Sequence, residues 1–199
     1  MKPKNDQEDT FYAKDREEWR RWLEDNHDSY RGIWLVIFKK GSGKPHITYE
    51  EAVEEALCFG WIDNKPNVID EERFKLRFTP RKPRSAWSRS NKKRVEKLIE
   101  QGLMTPAGIR KIEEAKRNGA WDLLEDVEDL RVPEDLKKAL AANPPADVNF
   151  KAFSDSTKKQ ILFWIKTAKL PETRRKRVEE TARLAAENKR ANQYVRKNR

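Results

Sequence analysis

Apolar residues along the 199-residue chain fall into a few short, well-punctuated patterns. Trp19, Trp22 and Leu23 recur at i, i+3 and i+4 behind Asp15 and Glu18, whose spacing is that of a capping box, which predicts a helix with one buried stripe. Ile33 to Phe38 (IWLVIF) is continuously apolar and reads as a central strand covered on both faces, ending in the turn KKGSGKP. Thr48 and Glu51 form a second capping box, and Tyr49, Ala52, Val53, Ala56, Leu57 and Phe59 trace one helical face that stops at Gly60. Trp61 to Lys65 reads as a strand. Arg73 to Thr79 alternates, with Phe74, Leu76 and Phe78 on one side and Arg73, Lys75, Arg77 and Thr79 on the other.

From residue 90 onward the pattern is helical. Val95, Leu98 and Ile99 precede Gly102; Thr105 caps a helix with Pro106 at its first position, and Gly119 ends it. Pro133 opens a segment with Leu136, Ala139 and Leu140. ANPPADVN at 142–149 is the linker candidate, because paired prolines cannot continue a helix. Ile161, Trp164, Ile165 and Ala168 form one stripe, and Val178, Ala182 and Ala185 form another after the LPET break. The expected architecture is α+β: a small, mainly antiparallel sheet with helices on one face, followed by a helical C-terminal extension. Its expected parts are a core over 10–141, a helical hairpin over 150–190 packed on it, and flexible tails at 1–9 and 191–199.

Charge changes this picture by its distribution. The net charge is +10 with 39% charged residues, yet residues 1–72 sum to −6, 73–97 to +10, 98–150 to −4 and 151–199 to +10. Two basic islands therefore sit in an otherwise acidic chain. In the second, Arg174 to Arg177 stand at a helix start, where the helix dipole disfavours cations, so a nearby acid is expected to compensate. Seven tryptophans and eight phenylalanines supply the anchors of a folded core. The single cysteine, Cys58, excludes an internal disulfide and a multi-cysteine metal site. With His27 and His46 the only histidines, it matches no common ligand spacing, and it reads as a buried, inert thiol. No metal and no cofactor are expected. The opening MKPKNDQEDT lacks the apolar stretch of a secretory signal, and no run is long enough to span a bilayer, so cytoplasmic residence is expected.

The stretch most suited to chemistry is FTPRKPRSAWSRSN at 78–91, where a strand meets four basic residues, a tryptophan and three serines. Ser88 or Ser90 is placed to cap the next helix, and a helix start with arginines around it suits a phosphate, sulfate or carboxylate. The residues expected to form this corner are Arg77, Arg81, Ser88 and Asn91 as anion contacts, Trp61 and Trp87 as apolar walls, and Asp63 as orienter. Asp63 and Arg77 are also expected to form a cross-strand ion pair. The bland reading keeps Trp87 in the core, Ser88 as a cap only and the arginines solvated.

Three stretches, EALCFGWIDNK at 55–65, FTPRKPRSAWSRSNKKRVEKLIEQGLMTPAGIRKIEEAKRNGAW at 78–121 and WIKTAKLPETRRKRVEETARLAA at 164–186, resemble the YdeI/OmpD-associated (bacteriocin-protection) family over roughly residues 10 to 187. Asn64 departs from that family's phrase, which usually ends in glycine. The resemblance implies a link to stress or to antimicrobial-peptide and bacteriocin resistance, and it brings no catalytic residues. The function expected is therefore that of a non-enzymatic binding protein whose partner is an anionic small molecule or an acidic protein. Nucleic-acid binding through islands 73–97 and 151–199 is the alternative, and an enzyme acting on a small anionic substrate is a third reading. The sequence leaves the oligomeric state open.

Overall fold

The computed structural model describes residues 9–64 and 66–192. Most of both expected tails, Lys65, and the basic residues Arg196, Lys197 and Arg199 lie outside the described residues. The chain divides into two compact units, Met1–Asp122 and Leu123–Arg199. The paired-proline segment 142–149 lies inside the second unit, where 142–145 joins two helices and 146–149 begins the second of them.

The first unit runs β1 (Thr10–Tyr12), α1 (Arg16–Asn26), β2 (Ile33–Phe38), α2 (Tyr49–Cys58), β3 (Trp61–Asp63), β4 (Asn67–Val68), β5 (Arg73–Pro80), α3 (Arg89–Glu100) and α4 (Pro106–Asn118). The helix starts are made as their side chains dictate. Asp15 accepts from the Glu18 amide, and Thr48 and Glu51 complete a reciprocal capping box. Thr105 caps α4 behind Pro106. The sheet runs β1-β2-β5-β3, with β4 also paired to β5.

The architecture is α+β, as the patterning predicts, but the sheet is mixed: β1 lies parallel to β2 while β2, β3 and β4 are antiparallel to β5. Register sets Ile33 opposite Phe78 and Leu35 opposite Leu76, and these side chains are buried beneath the helices. Trp19 of α1 packs on Phe78 at 5.3 Å and donates its Nε1–H to the Ala52 carbonyl at 3.0 Å, tying α1, α2 and the sheet into one core.

Two expectations are corrected. IWLVIF is not covered on both faces: Ile33, Leu35 and Ile37 are at most 3% exposed, whereas Trp34, Val36 and Phe38 on the other side are only half-buried and belong to neither core cluster. Conversely, α2 buries Ala52 through Cys58 all round, Glu54 and Glu55 included, while Tyr49, expected on its apolar stripe, is exposed.

The second unit holds α5 (Glu125–Glu128), α6 (Glu134–Ala141), α7 (Ala146–Ala152), α8 (Asp155–Lys166) and α9 (Pro171–Ala186). Val178, Ala182 and Ala185 of α9 bury against Leu136, Phe150 and Ile161. The acid that compensates the cationic start of α9 is Asp135, which accepts from Arg174 Nε at 2.7 Å and Nη2 at 3.0 Å. Among the described residues no helix is long and apolar enough to cross a membrane.

Candidate functional site

The strand-to-helix corner is built by two backbone ties. The Arg81 amide donates to the Gly60 carbonyl at 2.9 Å as β5 ends, and Ser85 N–H closes a turn onto Lys82 O at 2.9 Å. Ser88, rather than Ser90, then caps α3 by accepting from the Asn91 amide at 3.3 Å. Between these points the chain folds Arg81 inward. Its guanidinium is 2% exposed, lies 3.7 Å from the Trp87 ring centroid, and donates from Nη1 to Ala86 O at 3.0 Å.

Its Nε and Nη2 are buried with no hydrogen-bond partner among the described residues, as is the Trp87 indole N–H. Burial pushes Arg81 down to about 10, with Asp63 opposing, so it remains charged at neutral pH. A buried cation with two idle donors is costly, and such groups call for an explanation.

The seven residues expected at the site do not share one surface. Register sets Asp63 opposite Phe78, not Arg77, so Asp63 and Trp61 lie on the helix-covered face while Arg77 lies on the open one. The expected Asp63–Arg77 pair is therefore replaced by a hydrogen bond from Tyr49 OH to Asp63 Oδ2 at 2.9 Å. Although the Tyr49 residue as a whole is exposed, partial desolvation of its phenol and that carboxylate push it up to about 12. Trp61 and Trp87 are each 1% exposed, and Trp61 donates to His27 O at 3.2 Å. Asn91 accepts from Arg94 Nη1 at 2.8 Å, and Arg94 grips Glu50 through Nε and Nη2, both at 2.7 Å. At the start of α3, therefore, Ser88 takes the Asn91 amide and Arg94 takes the Asn91 side chain.

A cleft of about 640 Å³ opens on the outer side of the same corner, lined by Arg31, Ile62, Asn64, Thr79, Lys82 and Ser85, with Pro80 at its edge. Among the described residues its lining holds two cations and three neutral hydrogen-bonding side chains, and no carboxylate. Gly32 brings Arg31 here: its φ of +149° and a Cβ that would sit 2.8 Å from Thr79 Cγ2 and 2.9 Å from Phe78 O leave only glycine able to pass so close to β5. Arg31 was not singled out from the sequence, where the one available signal was Arg-Gly directly before an apolar run, and Asn64 stood out only as a departure from the family phrase. A second cleft, about 520 Å³, is lined by His27, Gly60, Trp61 and α4. Its lining mixes acids and bases, with Lys111 on Glu114 at 3.1 Å and His27 Nε2 3.2 Å from Asp28 Oδ1.

Sequence reasoning also missed a buried ionic cluster. Glu55 accepts from Arg16 Nε at 2.6 Å and Arg20 Nη1 at 2.7 Å, while Glu54 accepts from Arg16 Nη1 at 2.9 Å and Lys97 Nζ at 2.7 Å. Cys58 lies beside it, fully buried, and burial together with the Glu55 charge pushes its thiol up to about 11, so it is no nucleophile at neutral pH. Among the described residues no group of side chains has the makings of a metal site.

Two family models match the chain. Residues 11–111 match the one described as Domain of unknown function (DUF8412), and residues 129–188 match Bacteriocin-protection, YdeI or OmpD-Associated. No curated protein and no solved structure matches it. Of the phrases that carry the family resemblance, 164–186 lies inside the second match, while 55–65 and most of 78–121 fall under the first. The chain thus belongs to the family of the domain of unknown function DUF8412, and over residues 129–188 it carries a partial-chain match to the YdeI/OmpD-associated family.

Proposed function

We propose that this protein is a non-enzymatic binding protein that holds a small anion in the cleft at the end of β5. The observation that carries the reading is the cleft's composition: Arg31 and Lys82 with the neutral side chains of Asn64, Thr79 and Ser85, and no acid among the described residues. Arg31 offers a planar fork for a phosphate or carboxylate, and Lys82 a point charge beside it. Arg81, between Pro80 and Lys82 in the chain, adds a third positive charge held out of water, where its field is weakly screened. Among the described residues the lining carries no carboxylate, thiol or imidazole to act as base or nucleophile, which favours binding over catalysis. Protection of the kind named in the family description would then act through an anionic ligand or an acidic partner, since this cleft repels a cationic peptide.

Calorimetric titration with inorganic phosphate and with a dicarboxylate, at low ionic strength, tests the proposal. Binding should weaken at least about tenfold in a variant carrying Arg31→Gln and Lys82→Gln, because a hydrogen bond to a charged group contributes roughly 1.5–3 kcal/mol. Absence of binding at millimolar ligand, or binding unchanged in that variant, would overturn it.

A further inference from the structure

We infer that the open face of the sheet, continuous with the anion cleft, is a platform for single-stranded nucleic acid. The inference rests on the cleft reading for one end of its path. Register places Trp34 opposite Arg77, Val36 opposite Lys75 and Phe38 opposite Arg73, all on the face away from the helices. Tyr12 joins them from β1, its ring packed edge-on against Phe38 at 5.3 Å. These aromatic rings belong to neither core cluster and are half-buried on a sheet that has spent its other face on the core.

Among the described residues cations dominate this face, although Arg73 is held by Asp70. Arg73, Lys75 and Arg77 line the strand, and Arg31 and Lys82 continue the path beyond Thr79. Asp70, at the far end, is bound by Arg73 through Nε at 2.8 Å and Nη2 at 2.6 Å. Along β5 the path from Arg73 to Thr79 is about 20 Å at roughly 3.3 Å per residue, enough for about four nucleotides, the small end of single-strand site sizes.

The combination of rings and cations selects the occupant. An acidic peptide or a phosphate surface would use the cations but has no use for rings spaced along a strand. Unpaired bases use both, stacking on the rings while the phosphates meet Arg and Lys. A duplex keeps its bases stacked on each other, and this face offers no helix or ribbon to enter a groove. In the free protein Lys75 Nζ lies 4.3 Å and Arg77 Cζ 5.8 Å from the Trp34 ring centroid. Phosphates would draw these cations outward, and a base would take their place on the ring.

The test uses the full chain and a labelled twelve-residue oligothymidylate, read by fluorescence anisotropy at about 50 and 200 mM salt. Expected are binding that weakens with salt, weak competition by a duplex of equal length, and a roughly 5- to 150-fold loss in Trp34→Ala. Trp34→Leu, which keeps apolar bulk should the alanine variant unfold, loses the same stacking. Lys75→Gln with Arg77→Gln should reduce the log–log salt slope by about 1.4, at ~0.7 per single-strand phosphate. No binding at 50 mM salt, duplex binding as tight as single strand, polyglutamate or anionic vesicles competing as well as the oligonucleotide, or unchanged affinity in both Trp34 variants would each overturn the inference. Phosphate binding lost in Arg31→Gln/Lys82→Gln, with no oligonucleotide binding, leaves the cleft standing and removes the platform. Oligonucleotide binding that depends on Trp34, with no phosphate binding, supports the platform and removes the cleft.

Discussion

Glu55→Ala should be among the most damaging single changes to the first unit. Glu55 is 1% exposed and takes two charge-assisted hydrogen bonds, from Arg16 and Arg20, at 2.6 and 2.7 Å. Each such bond contributes roughly 1.5–3 kcal/mol, and removing one member of a buried ion pair costs about 3–5 kcal/mol. Here the lower end applies. Both arginines keep 28% of their side-chain exposure, and each has a second acid, Glu54 for Arg16 and Glu24 for Arg20. A loss of about 3 kcal/mol, at roughly 3–5 °C per kcal/mol for a unit of this size, lowers the melting temperature by about 10 °C. Tryptophan fluorescence is the assay, because six of the seven tryptophans lie within residues 1–122 and report on this unit. The coupling is isolated by a double-mutant cycle with Arg20→Ala, where an interaction of at least about 1 kcal/mol is expected. A shift below about 3 °C in Glu55→Ala, or a cycle that closes additively, would refute the reasoning.

Cys58 should resist thiol reagents in the native protein at pH 8 and react at once in denaturant, as followed by absorbance of a released chromophore. Its thiol is raised from near 9 to about 11 and the Tyr49 phenol from near 10 to about 12. The unfolded chain therefore loses these protons first, and the stability present below pH 9 should drain away between about pH 9 and 12; a urea midpoint that holds from pH 8 to 10.5 would contradict this. Gly108→Ala should destabilise by about 1–3 kcal/mol although alanine is the better helix former: its Cβ would run into the Cys58 carbonyl and lie 2.7 Å from Met104 Cε, and a raised melting temperature would refute that account.

The elements that could be read in the sequence are those made by local chemistry. Asp15, Thr48, Ser88 and Thr105 cap helices because a side-chain oxygen three residues from an orphan amide is a local arrangement. The three-residue β1 has no such signature. It exists because its backbone lies parallel to β2, a pairing between segments more than twenty residues apart. The all-round burial of α2 was hidden for a related reason. Glu54 and Glu55 lie off the apolar stripe traced in the sequence, and only the fold brings Arg16, Arg20 and Lys97 against them.

The candidate site separated along the same line. Alternation in β5 correctly put Arg77 and Thr79 on one side and Phe78 on the other, because the period of a strand is a property of the strand. Which residue of β3 stands opposite is a property of the pair, and the pairing of Asp63 with Phe78 moved Trp61 and Asp63 to the covered face. The continuous apolar run of β2 misled in a more useful way. Apolar residues on both sides of a strand are the mark of burial on both sides only if the neighbouring strand is apolar on both sides as well. Here β5 sets Arg73, Lys75 and Arg77 against Phe38, Val36 and Trp34. A two-sided apolar strand hydrogen-bonded to a one-sided basic strand leaves a face that is aromatic and cationic together, and the proposed platform rests on that pairing of the 33–38 and 73–79 stretches.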